Sequence, residues 1–365
     1  MSLTPQASRT FHKLRIASAT PETEEALTLT FNIQPELLPT FAFHPGQYLT
    51  LRTTVQGEEL RRSYSICSGP GQPLRIAIKR VEDGRFSTWA HEALIPGHEI
   101  DVLPPAGRFI LPPATTPRSI LAIAAGSGIT PILAILKSVL HAEPASQAAL
   151  LYGSRTTASI LFRDELEALK DKHLDRLSLL HVLSREQQDI PTTSGRLDGP
   201  KLAAILPSLY PGPLPDLAFL CGPGPLIQTA TAALMAAGLP PSRILTERFS
   251  VEGEPQRKST RRLAATPRAT AVAHATARII ADGVSTLVPV AENEPILDAA
   301  LRAGLDLPYS CRAGMCSTCR ARVIEGAVTM DVNYGLEPWE TTQGYVLTCQ
   351  AHPTSPHITI DYDHV

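Results

Sequence analysis

The sequence predicts a multidomain chain: a small antiparallel β-barrel, then an α/β domain on a parallel sheet, then a short C-terminal domain organised around cysteines. Three observations predict this. Short runs with regular turn signals between them fill residues 1–113. Apolar runs alternating with helical stretches fill residues 114–250. Four of the six cysteines stand together near the C-terminus, at 311, 316, 319 and 349. Residues 251–275 lack periodicity, are rich in small and basic residues, and read as a linker to a last domain over 276–365.

Composition narrows the function classes. At 365 residues the chain has room for two or three domains, and its net charge of −2 gives no case for nucleic-acid binding. The longest apolar run, Ile120 to Leu136, is broken by Gly126-Ser-Gly128 and Thr130-Pro131, so it reads as a buried strand turning into a helix and not as a membrane span. The N-terminal Met1-Ser-Leu-Thr-Pro-Gln lacks a charged-then-apolar leader, so a cytoplasmic location is expected and the cysteines are not read as disulfides. The 33 prolines gather in clusters such as Leu103-Pro-Pro105 that punctuate elements.

In the first domain, Leu27–Phe31, Gln47–Leu51 and Leu74–Arg80 read as barrel strands. Another strand closes on Arg62-Ser63-Tyr64-Ser65. A flat ring, a cation and hydroxyls so close together suit a flavin; packing of an exposed tyrosine is the other reading. Gly84-Arg-Phe-Ser-Thr-Trp-Ala-His-Glu92 reads as a helix start with Ser87 or Thr88 at the cap. Free N–H groups there suit a pyrophosphate, or simply cap the helix.

In the second domain, strands over 120–124, 148–152, 177–183 and 217–220 alternate with helices over 131–140, 159–170 and 226–237. The first strand runs into Ala125-Gly126-Ser-Gly128-Ile-Thr130-Pro131. Glycines there let backbone approach a phosphate and Pro131 suits a first helical turn, although Pro131 breaks the G-x-G-x-x-G fingerprint. Tyr152-Gly-Ser154-Arg155 ends the next strand. Arg155 suits either a ribose 2′-phosphate, hence NADPH over NADH, or a surface ion pair. Cys221-Gly222-Pro223-Gly-Pro225 ends the last strand, where parallel sheets bind ligands; Cys221 also reads as a buried structural cysteine.

The C-terminal cysteines are spaced C-x4-C-x2-C, with Cys349 following Cys319 after 29 residues. This is the plant-type ligand spacing of a [2Fe–2S] cluster, held by Cys311, Cys316, Cys319 and Cys349. A zinc site with four cysteine ligands usually has two close pairs, and a Rieske centre needs two histidines. Gly314 permits the tight loop, and small Ser310, Ser317 and Thr318 leave backbone N–H groups able to face sulfur. Residues 276–365 carry 11 acidic and 5 basic residues, against 24 and 28 in the rest. Such asymmetry reads either as ordinary surface variation or as a basic reductase half that attracts the acidic cluster domain.

In this order the motifs resemble the ferredoxin–NADP reductase superfamily carrying a C-terminal plant-type ferredoxin domain. Tyr309–Arg320, Met330–Tyr334, Gly344–Gln350 and Asp361-Tyr-Asp363 are similar in particular to the reductase subunits of phenylacetyl-CoA epoxidases. The resemblance implies a β-grasp (α+β) ferredoxin domain, FAD as the flavin, and a nucleotide site for NADPH, with NADH as second candidate. It places Arg62, Ser63, Tyr64 and Ser65 on the flavin, with Lys79, Ser87 and Thr88 near its phosphates. Gly126, Gly128, Thr130, Pro131, Ser154, Arg155, Cys221, Gly222 and Pro223 would line the nucleotide site. Ser65, Cys221 and Phe249, the last in Glu247-Arg-Phe249, would stand at the reacting ring. The implied activity passes electrons from NADPH through FAD and the cluster to an oxygenase or epoxidase subunit, by resemblance a di-iron one in phenylacetate degradation. A reductase for a steroid, aromatic-ring or alkane oxygenase, or a redox sensor without turnover, are the rivals.

Overall fold

Alternation sets the first sheet. In β1 (His12–Thr23), Leu14 and Ile16 are buried while Lys13, Arg15 and Ala17 are exposed, the period of two that turns one strand face inward. The structure, a computed structural model, describes residues 10–249 and 273–364. After β1 come β2 (Ala26–Asn32), β3 (Tyr48–Val55), β4 (Glu58–Ser65) and β5 (Arg75–Lys79), then helix α1 (Arg85–Ala93) and β6 (Glu99–Ala106). They form one six-stranded sheet in the order β4-β3-β6-β1-β2-β5. A single antiparallel bridge, Ile66 to Ile76, brings its two edges together, so the sheet curls into a barrel. Leu14, Ile16, Leu29, Leu49, Leu51, Ile76 and Ile78 fill it, and Phe86, Ala90 and Leu94 of the α1 segment join that core.

The next elements alternate as expected: β7 (Ser119–Ala125), α2 (Ile129–Ala142), β8 (Gln147–Ser154), α3 (Arg163–Lys172), β9 (Leu177–Leu183), α4 (Gly199–Leu209), β10 (Leu217–Gly222), α5 (Gly224–Ala236) and β11 (Ile244–Arg248). All five strands are parallel, in the order β11-β10-β7-β8-β9. Ile120 to Ala124 are all fully buried, as a central parallel strand with helices on both faces requires. α2 and α3 pack with one face of the sheet and α4 and α5 with the other. The chain steps from β7 to β8 on one side and later returns to place β10 on the other. The crevice at the C-terminal ends of β7 and β10 is therefore the topological switch point, where such sheets bind ligands. α3 starts at Arg163, later than the expected 159, because Thr156 and Ser159 close a separate capped turn and Phe162 adopts a left-handed φ of 57°. Sequence periodicity does not single out α4 or β11; α4 holds Pro200 and, in its interior, Pro207, both of which read as breakers.

The C-terminal unit is separate. It contains β12 (Ala273–Ala281), β13 (Val284–Ala291), α6 (Ile296–Arg302), β14 (Arg320–Glu325), β15 (Val328–Met330), α7 (Pro338–Thr342), β16 (Tyr345–Leu347), β17 (Ala351–Pro353) and β18 (His357–Asp361). Its five-stranded sheet runs β13-β12-β18-β14-β16. β12 and β18 are parallel, whereas β13 on β12, and β18 and β16 on β14, are antiparallel; β15 pairs with β17 apart from this sheet. Ile296, Leu297, Ala299 and Ala300 of α6 are fully buried in one core with Ile279, Val288, Leu347 and Ile360. A mixed sheet grasping one helix is the expected β-grasp. β12 begins at Ala273, three residues ahead of the expected start of this domain, and most of the expected linker lies outside the described residues. Among the described residues no helix is long and apolar enough to cross a membrane.

Candidate functional site

On β4, Arg62 and Tyr64 lie two residues apart and share one strand face, while Ser63 and Ser65 share the other. Arg62 is exposed. The Tyr64 ring lies 5.7 Å from that of Phe86, tilted by 38°, which holds it against the first turn of α1. Ring and cation thus share one face, as a flavin ring with its phosphates would need. Lys79 ends β5 with Nζ 3.3 Å from Glu25 Oε2.

The expected helix cap is corrected. Gly84, not Ser87 or Thr88, is the N-cap of α1. Ser87 Oγ instead accepts from the Val81 N–H at 3.1 Å and donates to the Gly84 carbonyl at 3.1 Å, closing the preceding turn from inside. Thr88 N–H donates back to the Gly84 carbonyl at 2.9 Å, so it is already spent within the helix.

The switch point gathers the second group. A Cβ at Gly128 would lie 2.3 Å from the Cys221 carbonyl oxygen, so only glycine lets these two strand ends meet. The role expected for Gly128, close approach to a phosphate, is thus at least partly a role in packing. Thr130 Oγ1 donates to the Ser127 carbonyl at 2.9 Å, and Pro131 is the third residue of α2. The carbonyl of Gly222 accepts from the Phe249 N–H at 2.9 Å, which pins Phe249 beside Pro223 and the start of α5. Ser154 ends β8, and its carbonyl accepts from the Ser184 N–H at 2.9 Å. Arg155 follows it, with Nη1 3.7 Å from Glu25 Oε1. Arg155 thus makes a surface ion pair, and Lys79 meets the same carboxylate.

Two residues complete this site that motif reading passed over. Tyr152, fully buried, donates its hydroxyl to the Gly126 carbonyl at 2.9 Å and receives the Leu161 N–H at 3.3 Å, bracing the turn after β7. Glu247 brings together the expected reacting groups. Its Oε2 accepts from Ser65 Oγ at 3.3 Å and lies 3.9 Å from Cys221 Sγ. The residue keeps some surface, but its carboxyl is enclosed, and burial pushes it up to about 8. Burial, and then the neighbouring Glu247, push the Cys221 thiol well above its ordinary range. Around pH 7 both are mainly protonated, so this is a store of protons and not a nucleophile. The Glu247-Arg-Phe249 segment was the available signal for it.

In the C-terminal unit the cysteine loop runs from the end of α6 into β14. Gly314 has φ +73°, and a Cβ there would meet the Val332 carbonyl at 3.0 Å. Arg312 and Ser317 also take left-handed φ, at 53° and 54°. The Ser317 hydroxyl donates to the Gly335 carbonyl at 2.9 Å, and Arg312 pairs with Asp298. N–H groups of Ala313 and Cys316 approach Cys311 Sγ at 3.4 and 3.3 Å, and that of Cys311 approaches Cys316 Sγ at 3.4 Å. The Gly314 N–H and the Gln350 side chain face Cys349. The hydrogen bond from Cys316, then those loop N–H groups, draw the Cys311 thiol below its ordinary range.

The thiols pair two and two, Cys311 with Cys316 and Cys319 with Cys349. Among the described residues no three metal-ligating side chains surround one ion position. Two pairs of sulfurs suit two irons. Ser310 Oγ is buried and has no hydrogen-bond partner among the described residues, as expected of a hydroxyl placed beside a cluster. The residues present therefore fit a [2Fe–2S] group.

Comparison with known proteins defines the class. The chain matches the oxidoreductase FAD-binding domain over residues 13–110, the oxidoreductase NAD-binding domain over 122–232 and the 2Fe-2S iron-sulfur cluster binding domain over 279–354. It is an oxidoreductase with flavin, pyridine-nucleotide and iron–sulfur domains in one polypeptide. It is 44% identical to a subunit of the 1,2-phenylacetyl-CoA epoxidase of Escherichia coli K12, over 97% of this chain and 98% of that one. It is 37% identical to the ferredoxin reductase component of 3-ketosteroid-9-alpha-monooxygenase from Mycobacterium tuberculosis, over 96% of each chain. The crystal structure of phthalate dioxygenase reductase shares the fold, with a TM-score of 0.61 at 24% identity over 96% of this chain and 98% of that one. The chain belongs to the family of flavin and [2Fe–2S] oxygenase reductase components within the ferredoxin–NADP reductase superfamily.

Proposed function

We propose that this chain is the cytoplasmic NADPH-dependent reductase of a phenylacetyl-CoA epoxidase, delivering electrons to the di-iron oxygenase subunit. The observation that carries this reading is 44% identity to a subunit of such an epoxidase over 97% of the chain. When bound, FAD accepts a hydride from the reduced nucleotide and the [2Fe–2S] cluster accepts electrons one at a time; the chemistry is theirs and the protein supplies orientation and charge.

The residues have distinct tasks in this reading. Arg62, Ser63 and Tyr64 hold the flavin on one edge of the barrel. Lys79 neutralises its phosphates together with the first turn of α1 at Ser87 and Thr88. Gly126, Gly128, Thr130 and Pro131 form one wall of the nucleotide cleft, and Cys221, Gly222 and Pro223 the other. Arg155, with Ser154 beside it, selects the 2′-phosphate of NADPH over NADH. To reach that phosphate its guanidinium exchanges the Glu25 carboxylate for a better acceptor. Burial keeps Glu247 protonated, Ser65 and Cys221 hold its carboxyl in place against that burial, and Phe249 covers the reacting ring. Glu247 Oε2 supplies or takes a proton through Ser65 Oγ. Cys311, Cys316, Cys319 and Cys349 hold the irons. The domain divisions follow these tasks: flavin over 1–113, nucleotide over 114–250, linker over 251–275 and cluster over 276–365.

Reconstitution tests the reading. Purified reductase with NADPH and the oxygenase subunits of a phenylacetyl-CoA epoxidase should support epoxidation of phenylacetyl-CoA. Support instead for a 3-ketosteroid 9α-monooxygenase oxygenase would transfer the assignment to that rival. Failure to reduce a dye with either NADPH or NADH would remove the enzymatic reading altogether.

A further inference from the structure

Lys137 is charged, lies inside α2, and has a side chain only 8% exposed, yet no step above uses it. Its Nζ lies 2.5 Å from Glu165 Oε1 of α3. It also donates to the Cys67 carbonyl at 3.1 Å and to Gln72 Oε1 at 3.2 Å, both on the barrel. The other Glu165 oxygen accepts from Arg75 Nη2 of β5 at 2.6 Å. Gly69 completes the fit: a Cβ there would come within 2.9 Å of Lys137 Cβ, so the barrel loop rests directly on the helix.

Each element in this cluster continues into a segment assigned to a cofactor. Cys67 follows Ser65 by two residues, and Arg75 opens the strand that ends in Lys79. Lys137 belongs to the helix that rises from the Gly126–Pro131 turn, and Glu165 to the helix after Arg155. The surrounding contact between barrel and parallel sheet is apolar, with Ala26, Ala77, Phe109, Ile132 and Leu136 in one core. Apolar surfaces are non-directional and tolerate sliding. Two charged donors on one carboxylate, and three acceptors around one ammonium, admit a single register.

We propose that the Arg75–Glu165–Lys137 cluster is a positioning device that fixes the barrel against the nucleotide-binding half and so sets the alignment in which hydride passes. It rests on the reading of Ser65, Cys221 and the Gly126–Pro131 turn as the meeting place of flavin and nicotinamide. These residues touch no reacting atom and act through the elements they join.

Two variants of the FAD-loaded full chain test it by stopped-flow bleaching of the flavin at saturating NADPH. The wild type comes first: if NADPH does not bleach its flavin, the functional reading fails and not the cluster. In the apolar triple variant Arg75→Met, Lys137→Met, Glu165→Leu, the thermal midpoint of flavin release should stay near that of the wild type. Its limiting rate of bleaching should fall by about ten- to a hundredfold, the cost of an ångström-scale misplacement of reacting atoms. Glu165→Gln should lower the limiting rate in the same direction. A triple variant with the wild-type rate overturns the proposal. So does a triple variant that no longer holds FAD, which would make the cluster a folding requirement, and so does a Glu165→Gln enzyme of unchanged rate.

Discussion

Glu247→Gln isolates the cost of keeping one carboxyl among buried partners. In the folded protein burial raises this group from 4.5 to about 8. At about 1.4 kcal/mol per pH unit, ionising it in place costs roughly 5 kcal/mol more than in the unfolded chain. The sign follows from proton binding. Between pH 4.5 and about 8 the folded state keeps a proton that the unfolded state releases, so stability falls as pH rises through that window and levels off above it. Glutamine has nearly the same shape, keeps a hydrogen bond for Ser65 Oγ, and does not titrate. The glutamine variant should therefore gain on the wild type by about 1.4 kcal/mol for each pH unit across the window, to a limit of about 5 kcal/mol. Urea unfolding of both FAD-loaded proteins, followed by flavin fluorescence from pH 5 to 9, measures this difference, and all other titrating groups cancel from it. The pH profile of kcat/KM should lose its limb near pH 8 in the variant if Glu247 carries the proton. A stability difference that does not change with pH would refute the burial argument.

Further expectations follow from the same geometry. The purified protein should carry about one FAD and two irons per chain, and zinc in place of iron by metal analysis would refute the cluster. Cys349→Ser should leave bleaching of the flavin by NADPH almost intact and abolish transfer to the oxygenase; equal loss of both half-reactions in a folded variant would contradict the modular scheme. Arg155→Ala should raise KM for NADPH on the order of tenfold or more, from the loss of about 1.5–3 kcal/mol of charged hydrogen bonding, while NADH kinetics stay nearly constant. Steady-state kinetics with both nucleotides decide this, and equal losses would reject the assignment. Tyr152→Phe removes the hydroxyl that braces Gly126 and should raise KM for the nucleotide severalfold, at roughly 1 kcal/mol for the lost hydrogen bond, with kcat little changed; a fall in kcat alone would point away from a binding role.

Much of this chain is written locally, and that part was legible. Cluster ligands must sit on one tight loop, so the spacing of Cys311, Cys316 and Cys319 survives as a motif of a few residues. Turns at strand ends need glycine and proline at set positions, so Gly126–Pro131 and Cys221–Pro225 could be placed at the edge of a parallel sheet from the sequence alone. The apolar run over 120–124 announced the buried parallel strand β7. One residue type can have two uses, and there local reading goes astray: Ser87 reads as a cap but closes a turn from inside. Gly128 makes room for the Cys221 carbonyl, a packing role its motif does not announce. What only the tertiary structure decided lies in pairs far apart in sequence. Ser65 meets Glu247 across 182 residues, and Arg75 meets Glu165 across 90. A carboxyl's proton affinity depends on the dielectric and the charges that other strands bring to it, and a buried lysine is tolerable only when distant oxygens surround it. Neither condition leaves a trace in neighbouring residues, so Glu247 and Lys137 acquire their meaning only when the barrel and the parallel sheet close upon them.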